Sequence, residues 1–245
     1  MSDVHAIAPG LYLSGSAYIE QVMIFEDLTL QIASGEWHCL LGASGVGKST
    51  VLRLFAGLNE GIKFGGTLSA SDGFPFSNRV TFMAQNDLLL PWLNARENVL
   101  LGARLRGQVI NQFEADTVLE RVGLADHRLK KPSQLSGGQR QRVALARTLI
   151  EERPIVLLDE PFSALDAKTR SQMQELAVDL LKGKTVLLVT HDPAEASRLG
   201  QAISIMSSSK LEKFLPPVGI IPRGLSDPET LSAQGSLLRI LRGTE

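Results

Sequence analysis

Gly42-Ala-Ser-Gly-Val-Gly-Lys-Ser49, with Thr50 following, is the stretch whose reading decides the fold. It fits G-x-x-x-x-G-K-[ST], a pattern whose glycines let successive backbone N–H groups curl around phosphate oxygens without side-chain clashes. Lys48 then supplies a point charge to the β- and γ-phosphates, and the Ser49 hydroxyl can complete a Mg²⁺ coordination sphere. By residue frequencies the bare pattern arises by chance in roughly one chain in a hundred of this length, so its flanks matter. The flanks agree. Trp37–Leu41 is a short apolar run of strand type, and Ser49–Leu58 places Val51, Leu54, Phe55 and Leu58 at helical spacing, with Gly57 and Gly61 as stops. A strand, a glycine loop and a helix aiming its positive end at one anion together form a phosphate cradle.

Outward from that loop, residues 22–32 read as one or two strands. Ile155–Leu158 and Thr185–Thr190 are continuous apolar runs, the kind buried on both faces of a parallel sheet, and Gln172–Leu181 reads as the helix between them. Between about 87 and 143 only helix signals occur. Asn94 and Asn111 each stand three positions before a glutamate, a capping spacing that opens a helix, and the second helix stops near Gly123. The expectation is an α/β core made of residues 1–86 and 144–206, a helical insertion over 87–143, and an extension over 207–245. In that extension Asp227-Pro228-Glu229 opens a packing helix with Leu231, Leu238 and Leu241 on one face.

Composition narrows the class. The chain has 245 residues, 44% of them hydrophobic and 21% charged, which is the balance of a globular protein rather than a disordered one. With 25 Lys+Arg against 26 Asp+Glu there is no basic excess for binding nucleic acid through bulk charge. Cys39 is the one cysteine, so no internal disulfide can form, and a reducing intracellular setting is expected. No stretch approaches the roughly 20 apolar residues that cross a bilayer, and no secretory leader is evident at the N-terminus. Work at a membrane would therefore be done through a partner.

Two further constellations carry chemistry. Asp159 and Glu160 end the apolar run Ile155–Leu158, at the strand edge where ligands of parallel sheets gather. Asp159 could reach Mg²⁺ through water and Glu160 could polarise a water aimed at a γ-phosphate, although acidic residues also end strands with no such role. Paired with the glycine loop, they point to a nucleoside triphosphatase. Leu135-Ser-Gly-Gly-Gln139 precedes a helix, again an anion-binding arrangement, but one with no evident ligand within the monomer. On physical grounds alone an ordinary loop is the plainer reading.

Taken together, Gly42–Thr50, Gln85, Leu135–Gln139, Asp159-Glu160, Ser163-Ala-Leu-Asp166 and His191 resemble, in order, the Walker A, Q-loop, LSGGQ signature, Walker B, D-loop and H-loop of ABC transporter ATPases. The resemblance spans residues 18 to 205 or so. It implies an α/β fold of the P-loop NTPase type: a RecA-like core with an antiparallel β subdomain, plus an inserted α-helical subdomain carrying LSGGQ. It also implies ATP and Mg²⁺ as cofactors and a head-to-tail homodimer on ATP binding. Each ATP is then held by Gly42, Ala43, Ser44, Gly45, Val46, Gly47, Lys48, Ser49 and Thr50 of one copy and by Ser136, Gly137, Gly138 and Gln139 of the other. That would supply the missing ligand of the second anion site.

By the same resemblance Glu160 is the general base, His191 contacts the γ-phosphate, Gln85 senses Mg²⁺ and the attacking water, and Asp166 couples the two sites. Ser49, Gln85 and Asp159 form the Mg²⁺ set. Tyr18 is the candidate for stacking on adenine, with Tyr12 as the fallback, since the loop after Tyr18 looks one residue longer than usual. The stretch from Gln85 through Gly107 is similar to importer ATPases for nitrate, sulfonate and taurine, and most similar to those for hydroxymethylpyrimidine, a thiamine precursor. Leu88–Leu93 would then be an exposed apolar patch for a transmembrane permease subunit, or else internal packing. A solute-binding protein would be an indirect partner, nucleic acid is not expected, and the place of action would be the cytoplasmic face of the membrane. The alternative from another class is a soluble, non-transport ABC ATPase. Such proteins usually carry a long coiled-coil insertion or a second cassette, and neither is expected here, where Gln85 and Ser136 lie close in sequence.

Overall fold

The computed structural model describes residues 8–207 and 210–243; the expected absence of a leader concerns residues outside that range. The chain divides into two compact units. One comprises 1–80, 153–159 and 182–245; the other comprises 81–152 and 160–181.

The first unit holds two sheets. Strands β1 (Leu11–Ile19), β2 (Val22–Ile32) and β4 (Ile62–Ala70) form an antiparallel sheet in the order β2-β1-β4. Residues 22–32 make one strand. Glu20 and Gln21, with φ of 48° and 70°, form the two-residue hairpin before it, the left-handed pair that matches strand twist. The second sheet contains β6 (Ile155–Asp159), β7 (Thr185–Thr190), β3 (Trp37–Leu41) and β8 (Ala202–Met206) as parallel neighbours, in that order, with β9 (Leu211–Phe214) antiparallel on β8. Every residue of β3, β6 and β7 is buried, as their continuous apolar sequences require when both faces are covered.

Helix α1 (Lys48–Phe55) follows β3 directly and buries Val51, Leu52, Leu54 and Phe55. It is shorter than Ser49–Leu58. Gly57, at φ 71°, turns the chain, so Leu58 lies outside the helix and is exposed rather than part of its buried face. Helices α7 (Pro193–Leu199) and α8 (Pro228–Gly243) pack together. Between them Arg223 donates to the carbonyls of Ser197 and Gly200, both at 2.8 Å, and Arg198 Nε donates to the Arg223 carbonyl. Asp227 opens α8 as expected, accepting from the Thr230 N–H at 2.9 Å. The buried face of α8 differs from expectation: it is Thr230, Ala233 and Leu237, while Leu231 and Leu238 are exposed. Small residues on that face suit close approach to α7, and counting leucines alone misses this.

Strand β5 (Val80–Met83) leads into the second unit, which is otherwise helical: α2 (Ala95–Val99), α3 (Leu101–Leu105), α4 (Gln112–Arg121), α5 (Gly137–Leu149) and α6 (Ala167–Leu180). It reaches beyond 87–143 because α5 runs unbroken to Leu149, so no boundary can fall at 143. Asn94 forms the reciprocal capping box with Glu97, the two bonds measuring 2.9 and 2.8 Å. Asn111 caps α4 in one direction only, accepting from Phe113 and Glu114. Helix α6 starts five residues before the expected Gln172, because Asp166 serves as its cap, accepting from the Thr169 N–H at 3.0 Å.

Candidate functional site

In the first unit, the loop between β3 and α1 has the shape its sequence demands. Gly47 sits at φ 103°, and a Cβ there would lie 2.7 Å from Ile24 Cγ2; a Cβ at Gly42 would lie 2.3 Å from the Met206 carbonyl oxygen. Larger residues at either place would push the loop out of line. Lys48 is 5% exposed, and its Nζ donates to the carbonyls of Gly42 at 2.7 Å and Ala43 at 2.6 Å. The loop thereby curls around its own lysine. No side chain caps the start of α1 and no acidic residue lies in its first turn, so its leading N–H groups keep the positive potential that suits an anion. Ala43, Ser44, Gly45 and Ser49 are exposed, Val46 is half-buried and Thr50 is buried. This is a cradle that fits a triphosphate.

Asp159 is the last residue of β6 and is buried. His191 follows β7 and is exposed; its place is fixed on one side by the strand and on the other by Asp192, which caps α7 by accepting from the Ala194 N–H at 2.8 Å. Thr190 strengthens that corner, donating to Glu195 at 2.7 Å and accepting from the Asp192 N–H at 3.0 Å. Tyr18 and Tyr12 both lie on β1 with equal 36% exposure, so burial does not separate them. Tyr18 stands next to the hairpin, while Tyr12 stands six residues back, about 20 Å along a strand.

In the second unit, Gln85 and Glu160 meet: Gln85 Nε2 donates to Glu160 Oε2 at 3.1 Å. Glu160 takes φ 48°, a left-handed conformation that costs a non-glycine residue about 1 kcal/mol or more. Neighbours hold it there. Its carbonyl accepts from the Ser163 hydroxyl at 3.1 Å and from Gln141 Nε2 at 3.1 Å. Gln141 was not singled out from sequence; its signal, a polar residue on the apolar face of α5, is faint.

The loop after Gln85 is pinned from two helices. Arg140 and Arg147 of α5 reach the Asp87 carboxylate and the carbonyls of Asp87 and Leu88, at 2.7–2.9 Å. From α2 the fully buried Asn98 bonds the Leu90 N–H at 2.8 Å and the carbonyls of Leu90, Leu93 and Asn94. The stretch Leu88–Leu93 is accordingly mixed: Leu89 is buried, whereas Leu88, Pro91 and Trp92 are exposed.

Ser136 caps α5 in a capping box with Gln139, accepting from its N–H at 3.2 Å, while Gln139 Oε1 accepts from the Ser136 N–H at 2.9 Å. Gln139 Nε2 also lies 3.0 Å from His127 Nε2. The Ser136 hydroxyl and Gly137 are exposed at the helix start, and the hydroxyl proton remains able to donate. Asp166 is held as the α6 cap; hydrogen bonds from Thr169 lower its carboxyl below the ordinary range.

Among the described residues no helix is long and apolar enough to cross a membrane. The ABC transporter family model matches residues 25–163, more than half of the chain. An uncharacterized ABC transporter ATP-binding protein of Haemophilus influenzae is 47% identical, covering 91% of this chain and 94% of its own. The aliphatic sulfonates import ATP-binding protein SsuB 1 of Rhodococcus jostii is 40% identical (94% and 92%), and the taurine import ATP-binding protein TauB of Pseudomonas aeruginosa is 41% identical (89% and 82%). Among solved structures, the dimeric post-hydrolysis state of the ATP-binding cassette MJ0796, bound to ADP and Pi, superposes with a TM-score of 0.73 at 31% identity, covering 87% of this chain and 99% of that one. The cradle built on Lys48, the Asp159-Glu160 pair and these relatives agree: the chain belongs to the ABC transporter family and is one of its ATPases.

Proposed function

We propose that this chain is the ATP-hydrolysing subunit of an importer, peripheral on the cytoplasmic face of a membrane, which couples hydrolysis to uptake of a small sulfonate. The observation that carries the catalytic part is Glu160, whose carboxylate is met by Gln85 and whose backbone is clamped, directly after Asp159 in the chain. In this reading Gly42–Thr50 bind the phosphates and Ser49, Asp159 and Gln85 serve Mg²⁺. Glu160 takes the proton of the attacking water while His191 steadies the γ-phosphate. When bound, Mg²⁺ offsets the charge developing on the phosphates.

The exposed start of α5, with Ser136 and Gly137, suits the γ-phosphate carried by a second copy, so two copies close around two nucleotides and Asp166 lies where they meet. Closure is passed to permease subunits through Leu88, Pro91 and Trp92 near Gln85, and a solute-binding protein delivers the cargo. The sulfonate reading is preferred to hydroxymethylpyrimidine: the relatives from Rhodococcus jostii and Pseudomonas aeruginosa are named for import of aliphatic sulfonates and of taurine, and no relative named above is named for a pyrimidine. The test is purification of the chain with its membrane partner, followed by reconstitution. Co-purification of a multi-span protein and hydrolysis stimulated by taurine or an alkanesulfonate are expected. Stimulation by hydroxymethylpyrimidine instead, or no membrane partner at all, would overturn this assignment.

A further inference from the structure

Gln141 is 5% exposed on α5, one turn past Gly137 and Gly138, and both ends of its amide are committed. Nε2 donates to the Glu160 carbonyl at 3.1 Å and lies 3.4 Å from the Ser163 hydroxyl; Oε1 accepts from the Ala164 N–H at 2.9 Å. The same helix start presses on the same loop, since a Cβ at Gly138 would lie 3.3 Å from the Ala164 carbonyl oxygen. One side chain thus joins three things: the first turn of the helix that begins at Ser136, the backbone of Glu160, and the segment leading to Asp166.

We propose that Gln141 is a positioning residue, which fixes the Glu160 backbone in its left-handed conformation and makes the aim of that carboxylate depend on where the start of α5 lies. The inference rests on Glu160 being the general base. Glu160 at φ 48° has no glycine's freedom, so its orientation is set by what holds its carbonyl, and Gln141 is the holder that belongs to α5. A γ-phosphate docking on Ser136 and Gly137 shifts the first turn, and the amide carries that shift to Glu160 and Ala164. Occupancy at one nucleotide site therefore sets alignment of the base that serves the other.

The test uses the full chain in its transport complex with three substitutions. Gln141→Met keeps the volume and loses both bonds. Gln141→Glu keeps the acceptor toward Ala164 and loses the donor toward Glu160. Gln141→Lys keeps that donor. Expected are kcat losses of roughly 10- to 100-fold in the Met and Glu variants, retention within roughly threefold in the Lys variant, and KM for ATP within roughly twofold throughout. Near-parental kcat in the Met variant, or KM rising in step with the loss of kcat, overturns the proposal. So does equal turnover in the Glu and Lys variants, whether high or low, a comparison that decides the matter even if the Met variant does not fold. Glu160→Gln assayed alongside separates the two readings: substantial turnover there removes the base assignment, whereas a dead E160Q beside a normal Q141M removes only the role of Gln141.

Discussion

Gln85 Nε2 and Glu160 Oε2 lie 3.1 Å apart, so the carboxylate assigned to water activation is also the acceptor for the amide at the head of the loop that carries Leu88 and Trp92. Hydrolysis and the proposed permease contact therefore share one hydrogen bond. Glu160→Gln keeps the size of the side chain and an acceptor for Gln85, but removes the base. Its expected phenotype is intact ATP binding, a closed dimer that accumulates, and kcat lower by roughly 10²- to 10⁴-fold. Single-turnover hydrolysis and size-exclusion chromatography with ATP check both halves; near-normal hydrolysis would refute the base assignment.

Lys48 presents a different case, because it is buried and satisfied by the Gly42 and Ala43 carbonyls before any nucleotide is considered. Lys48→Ala removes the charge and leaves two loop carbonyls without their donor. ATP affinity should fall roughly 10- to 100-fold, the range of a charge-assisted hydrogen bond. Calorimetry with ATP measures it, and a dissociation constant equal to that of the parent chain would contradict the cradle.

Tyr18 and Tyr12 are equally exposed on β1, and function alone can separate them. Base–aromatic stacking contributes about 1–3 kcal/mol, so Tyr18→Ala should weaken ATP roughly 5- to 150-fold while leaving inorganic triphosphate unaffected. Tyr12→Ala should change neither. The reverse pattern would move the adenine to Tyr12.

How much of this was legible in the sequence follows from which forces act locally. Trp37–Leu41, Ile155–Leu158 and Thr185–Thr190 are strands because uninterrupted apolar runs of that length suit a sheet covered on both faces, and the structure places them so. Asn94 and Asn111 announced their helices because caps act over three residues. What the sequence hid depends on distant partners. Asp166 is an exception, a local cap for the Thr169 N–H that starts α6 at Ala167 and that its resemblance to a D-loop residue overshadows. The leucine count on α8 points to the wrong face, since on this helix, which packs with α7, the buried residues are Thr230, Ala233 and Leu237. Gln141 gave no local sign, for its meaning lies in the Glu160 carbonyl and the Ala164 N–H, both about twenty residues away.

His38 yields a pH prediction unrelated to nucleotide. It is 2% exposed on β3, with Nε2 2.9 Å from the Ser204 hydroxyl and Nδ1 without a hydrogen-bond partner. Burial first, and the Lys213 ammonium second, push its pKa down to about 4. The unfolded chain regains an ordinary value near 6.5, so below that pH the unfolded state binds a proton that the folded state refuses. His38 is therefore neutral in effect above about pH 6.5 and costs stability progressively as the pH falls toward 4, by about 3 kcal/mol at the limit. His38→Gln keeps a side chain able to bond Ser204 and cannot titrate. Urea unfolding of both chains at pH 7 and pH 5 should show the parent losing about 2 kcal/mol more than the variant between the two. Identical losses would mean that His38 is protonated in the folded protein, and that its surroundings are wetter than a 2% exposure implies.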